Sequence, residues 1–294
     1  MSFLPENAPA VPPPAENPAE DSLALSPRRI PNLGHALLFV SFAALLLFLF
    51  QLVFFALGKS PVANHAGAVA IQHPKLQIAM LAATYLTTLT AAWLFFPLAW
   101  QRSFLDGVRW HWAIARRQAG KLVALGLLVG FMMQIVTYFI APPRAMPIDQ
   151  FFLTPGDAWL MALFGTLVAP AFEEICFRGF LVPAFAIAYD WLSLPRTDEA
   201  RARWQATAAL SPDSLIFSAL LTSVIFAWMH AAQYAYQWAA LLALFSISLV
   251  LTFVRVKTQS VAASTIVHAT YNFFDFLLLF VATGGYRHLD RLTH

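Results

Sequence analysis

Apolar residues in this chain do not alternate with polar ones. They run in long blocks, separated by short polar loops that carry most of the arginines. A helix rises about 1.5 Å per residue, so about 20 consecutive apolar residues cross the hydrocarbon core of a bilayer. Seven blocks reach that length, at about 35–58, 75–100, 119–141, 157–189, 214–235, 237–254 and 258–282. The pattern predicts an all-α fold, a polytopic transmembrane helix bundle of about seven spans. The fourth block is longer than a bilayer requires, which predicts a helix that is tilted, broken or partly outside the membrane. The fifth and sixth are separated only near Gln233–Gln237.

Residues 1–30 are a different material. They are rich in proline, carry four acids and show little apolar periodicity, which reads as a disordered tail. They lack the basic start and apolar run of a secretory signal. The chain therefore divides into a disordered Pro-rich tail at 1–30, a three-helix membrane part at 31–156, and a further membrane core at 157–284.

Composition agrees with the membrane reading. The chain is 60% hydrophobic and 11% charged, with mean hydropathy +0.66, against about 45–50% apolar and about 25% charged for a soluble domain. A net charge of +3 gives no reason to propose nucleic acid as a partner, and a single cysteine, Cys176, excludes an intramolecular disulfide. The loop charges set an orientation. Twelve basic residues fall before the first span and in the loops after the second, fourth and sixth, against five in the alternate loops and C-terminus. The positive-inside rule then places the N-terminus in the cytoplasm. The 101–118 loop, with Trp110 and Trp112 among its arginines, reads as an interfacial segment or an ordinary topogenic loop.

An ionised side chain at bilayer depth costs about 2.5–3.5 kcal/mol on insertion scales. Six ionisable residues nevertheless fall well inside apolar blocks: Glu173, Glu174, Arg178, His230, His268 and Asp275. All come from the fourth, fifth and seventh blocks, which points to one polar site in an otherwise apolar bundle. Residues four apart share a helix face. Arg178 can therefore compensate Glu174, while Glu173 points about 100° away from its neighbour. Phe226 pairs in the same way with His230, and His268 with Asn272, with Asp275 close to the same face.

Taken singly, each residue has a structural explanation. A lone buried histidine is usually a hydrogen-bonded core residue, and an intramembrane Glu–Arg pair is as readily structural as catalytic. Asn272 suits an interhelical hydrogen bond, Phe226 and Cys176 suit packing, and Asp275 suits the outer end of the last span. Together, two histidines, a carboxylate and an amide suit two chemistries. They can hold a divalent metal, or they can activate water without one, with Glu and His as base and His and Asn as oxyanion donors. By helical rise Glu173 and His268 reach similar depths, whereas His230 falls nearer the outside. A fifth span that tilts strongly, or one that starts later than Ser214 with residues 211–217 in the headgroup region, would reconcile them; the later start is expected.

The motifs Glu173-Glu174-x-x-Phe177-Arg178-Gly179, then Phe226-x-x-x-His230, then His268-x-x-x-Asn272 resemble the CPBP family. These are the CAAX-processing and bacteriocin-immunity (Abi-like) intramembrane proteases. The likeness covers roughly 157–282 and makes 157–284 a CPBP-like catalytic membrane core. It implies an intramembrane endopeptidase, a hydrolase of peptide bonds. Glu173 would be the general base, His230 would position water, His268 and Asn272 would stabilise the oxyanion, and Glu174 and Arg178 would support the site. It also implies either a bound Zn²⁺ or other divalent metal on Glu173, His230 and His268, as in a metalloprotease, or a metal-free glutamate mechanism. The substrate would be a membrane-associated, or prenyl- or lipid-anchored-like, peptide or protein, met at the lipid bilayer. The alanine- and arginine-rich loops suggest a bacterial cytoplasmic (inner) membrane. Two other functions use the same residues: a proton or cation transporter, and a non-catalytic membrane scaffold. The absence of an internal repeat and the crowding of polar groups into one half favour the enzyme over the transporter.

Overall fold

Each of the seven apolar blocks forms a helix long enough to cross a membrane. The computed structural model describes residues 29–56, 62–63, 69–70, 73–140 and 146–292. The tail to residue 28, and Lys59 and Arg144 of the charge count, lie outside them. The first span is α1 (Leu33–Ala56), and the second is α2 (Pro74–Trp100). Between them lies a two-residue antiparallel ladder, β1 (Val62–Ala63) with β2 (Val69–Ala70). Two short helices, α3 (Phe104–Gly107) and α4 (Trp112–Arg117), lead into the third span, α5 (Ala119–Ile140). A 3-10 turn at Pro147–Phe152 precedes the fourth span, Pro155–Ser193, which contains α6 (Pro155–Leu163), α7 (Ala169–Glu174) and α8 (Val182–Ser193). Then come α9 (Asp198–Ala206), α10 (Pro212–Met229), α11 (Trp238–Thr258) and α12 (Val261–Ala282). The spans belong to one unit, Arg29–Leu194 with Leu210–His294. Pro195–Ala209, which carries α9, groups apart, and its helix is capped within itself by Thr197 accepting from Ala200 N.

Local chemistry places the helix ends. Proline opens α2, α6 and α10, where its missing N–H is no loss. Thr154 and Asp157 form a reciprocal capping box at α6, and Ser211 and Ser260 cap α10 and α12. The apolar residues then divide by neighbour. α1 buries only Ala36 and Phe39 and offers most of its leucines and phenylalanines outward, as a lipid-facing helix does. An aromatic core gathers Phe39, Phe96, Trp100 and Phe104 around Phe172 and Phe180 of the fourth span.

Two features fix α12, which carries His268 and Asn272. The 101–118 loop clips its start: Val261 N donates to Arg109 O, and Ser260 Oγ donates to His111 O. Glycines on α5 let the two helices close up along their length. A Cβ on Gly126 would lie 2.6 Å from Thr270 Cβ and 2.8 Å from Val267 O, a small-residue contact typical of membrane helix pairs. Gly126→Ala is therefore expected to lower stability by about 1–3 kcal/mol through overpacking, read as a lower Tm in detergent. Gly120→Ala, which meets nothing within 4 Å, is expected to leave Tm unchanged or slightly raised.

Candidate active site

The fourth span supplies both glutamates, and it is not one continuous α-helix. It widens to π geometry at Phe164–Val168 and again at Ile175–Leu181. Both stretches end just before a proline near the start of the next α segment, Pro170 and Pro183. Proline cannot donate to the helix and clashes with the carbonyl four residues back, and a π turn relieves that conflict. The excess length noted in the sequence thus becomes a helix with two breaks in register.

The first break positions Asn272. Ala169 N–H reaches Phe164 O, five residues back. In that register the next donor, for Gly165 O, would be residue 170, which is proline. Asn272 Nδ2 supplies the donor instead, at 2.6 Å. A Cβ on Gly165 would sit 2.7 Å from the Phe276 ring of α12, so a larger residue here would push that ring aside.

The second break lies beside a buried ionic network. Glu174 Oε1 accepts from Arg178 Nη1 and from His268 Nδ1, both at 2.9 Å. Arg178 Nη2 donates to Ser248 O and Oγ, both at 2.8 Å. Glu174, Arg178 and Ser248 are wholly buried, and the guanidinium lies 5.1 Å from the Phe226 ring. A carboxylate only accepts, so the Nδ1 proton of His268 is committed to Glu174. His268 also stacks on Tyr271, with ring centroids 5.1 Å apart and planes at 5°.

Glu173 has the opposite environment. Its side chain is 14% exposed where that of Glu174 is 0%, and its Oε2 lies 3.8 Å from His268 Nε2. It faces a cavity of about 410 Å³ that is also lined by His230, His268 and Asn272. The structure therefore brings these four together, with Glu174 and Arg178 behind them. His230 reaches the cavity from the end of a helix. α10 starts at Pro212, not later than Ser214, but stops at Met229, and His230 opens the 230–237 turn. Its Nδ1 lies 2.8 Å from Phe226 O, so Nδ1 donates and Nε2 is left as an acceptor.

Several lining groups escaped the sequence reading. Tyr85, Gln233, Tyr234 and Tyr271 face the same cavity; Tyr85 and Tyr271 sit mid-helix on α2 and α12, and Gln233 and Tyr234 lie in the turn after α10. The His268–Tyr271 spacing of three was the one available signal. Burial first, and then the carboxylates of Asp275, Glu173 and Asp149, push the Tyr234 phenol up to about 12, so it stays a neutral hydroxyl. Asp275 also lines the cavity, with Oδ1 accepting from Gln134 Nε2 at 2.9 Å.

A zinc ion needs three or four donors within about 2.0–2.3 Å of one point. Among the described residues no three His, Cys, Asp or Glu side chains group in that way. Nδ1 of each histidine is engaged by a protein oxygen, which leaves Nε2 as the ring nitrogen open to water, substrate or a metal, since a metal-bound histidine also gives its other N–H to an oxygen.

A family model described as Rce1-like, "Type II CAAX prenyl endopeptidase Rce1-like", matches residues 155–274. No curated protein and no solved structure matches the chain. The matched segment holds all six site residues.

Removing one member of a buried ion pair strands the other, at about 3–5 kcal/mol. Arg178→Met is expected to destabilise the protein on that scale, as a large fall in Tm. Combining it with Glu174→Gln is expected to cost less than the sum of the two single changes.

Proposed function

We propose that this multi-pass membrane protein, whose residues 155–274 match a family model described as type II CAAX prenyl endopeptidase Rce1-like, is an endopeptidase that hydrolyses a peptide bond of a membrane-associated substrate with water activated by Glu173. One observation carries the reading: two adjacent glutamates are given opposite environments. Glu174 is neutralised by Arg178 and His268 and shut away, while Glu173 faces a cavity it shares with His230, His268 and Asn272.

The roles follow from the donors and acceptors. Glu173 takes a proton from water as the water oxygen attacks the carbonyl carbon. His230, with Nδ1–H given to Phe226 O, presents Nε2 as an acceptor that orients the water. Asn272 spends one amide hydrogen on Gly165 O and keeps a second for the oxyanion. His268 gives Nδ1–H to Glu174, so its Nε2–H is available to the oxyanion in the imidazolium form, whose charge Glu174 balances. Collapse of the tetrahedral intermediate breaks the C–N bond, and Glu173 returns its proton to the leaving amine. The metal-free route is favoured because no three His, Cys, Asp or Glu side chains group as metal ligands among the described residues.

The test uses purified protein in detergent with a library of membrane-anchored peptides, some prenylated. Glu173→Gln is expected to lower cleavage by about 10²–10⁴-fold, and Asn272→Ala by about 10²–10³-fold, with Tm preserved for Glu173→Gln. A chelator is expected to leave wild-type cleavage intact, and metal analysis to find no stoichiometric ion. Wild type that cleaves nothing, or Glu173→Gln that cleaves equally well, overturns the assignment. Proton or cation flux in liposomes, lost in the same variant, would support transport instead.

A further inference from the structure

Asp275 takes no part in the reaction above, yet it lines the same cavity as Glu173. Its environment differs from that of Glu174 in one decisive respect. Glu174 has a guanidinium and an imidazole on its Oε1. The hydrogen-bonding partner of Asp275 is the neutral amide of Gln134. Among the described residues lining the cavity there is no lysine or arginine and there are two carboxylates, Glu173 and Asp275. Such a carboxylate within a membrane span lacks the compensation that intramembrane charges normally have. A ligand that brings a positive charge supplies it.

We propose that Asp275 is a subsite for a cationic group of the substrate, a lysine or arginine side chain or a free α-ammonium, about three residues from the bond that is cut. The distance comes from helix geometry. Asp275 lies seven residues beyond His268 on α12, close to two turns and hence near the same face, about 10 Å further along the axis. An extended peptide advances about 3.3 Å per residue, so a chain with its scissile carbonyl at Glu173 and His268 spans that rise in about three residues. The Gln134 amide, donating from α5 to Oδ1, holds the carboxylate in place without cancelling its charge and leaves Oδ2 for the ligand. A purely structural Asp275, serving to tie α5 to α12, would make no distinction between charged and neutral substrates.

This subsite rests on the endopeptidase reading, and the experiment separates the two. Full-length protein in detergent is given membrane-anchored peptides that share one cleavable core. Lysine, norleucine or glutamate is scanned over five positions on either side of the bond, and a parallel set compares free with acetylated N-termini. The expected result is a kcat/KM at least about tenfold higher for lysine than for norleucine at one position about three residues from the bond. A matching advantage for the free N-terminus, in place of the side chain, would identify the α-ammonium as the ligand. Asp275→Asn is expected to bring the lysine-to-norleucine ratio to about one, Asp275→Glu to keep it, and Asp275→Lys to favour glutamate. Cleavage without any charge preference in wild type, or a preference that survives in Asp275→Asn, overturns the subsite and leaves the endopeptidase standing. Wild type that cleaves none of these peptides overturns both. The wild-type ratio needs no variant, so a variant that fails to fold does not rescue the idea.

Discussion

The rest of the structure depends on one buried ionic contact, Glu174 between Arg178 and His268. A carboxylate and a guanidinium taken out of water together are tolerable only when each is paired and hydrogen-bonded. Here the fourth span gives Glu174 and Arg178, α11 gives Ser248 and α12 gives His268. The contact therefore ties three spans at one level. It also orients the imidazole: with Nδ1 bound to Glu174, the opposite edge of His268 faces Glu173. The network thus holds the imidazole of His268 in register beside Glu173.

The second constraint is backbone geometry. Pro170 leaves Gly165 O without its helical donor, and Asn272 takes the vacant place. Pro183 follows the other π stretch. The same residue type that strains the helix thus marks where a neighbouring helix is held. Glycines at 126 and 165 let α12 approach α5 and the fourth span closely. The polar residues then meet across short gaps that larger side chains would keep open.

Much of this was legible in the chain. Seven apolar blocks of bilayer length led to seven helices, because a segment in lipid must satisfy its own backbone and helix is the simplest way to do so. The Glu174–Arg178 pair was legible from a spacing of four, since that contact lies within one helix turn. The position of His230 follows from where its helix stops. α10 begins at Pro212, and His230 reaches the cavity because the helix ends at Met229, a boundary that hydropathy does not mark. The tyrosines at 85 and 234 and Gln233 carried no signal, because what they face is set by other helices.

The sequence by itself determined which stretches span, which charges share a helix face, and that Glu173 and Glu174 point in different directions. These are properties of one helix, fixed by rise and rotation per residue. Only the tertiary structure decided which glutamate is sealed and which is open, and which histidine nitrogens remain free. It also decided that Asp275 meets the amide of Gln134. Those outcomes depend on contacts between residues 94, 107 and 141 positions apart, which helix packing creates and local periodicity cannot encode.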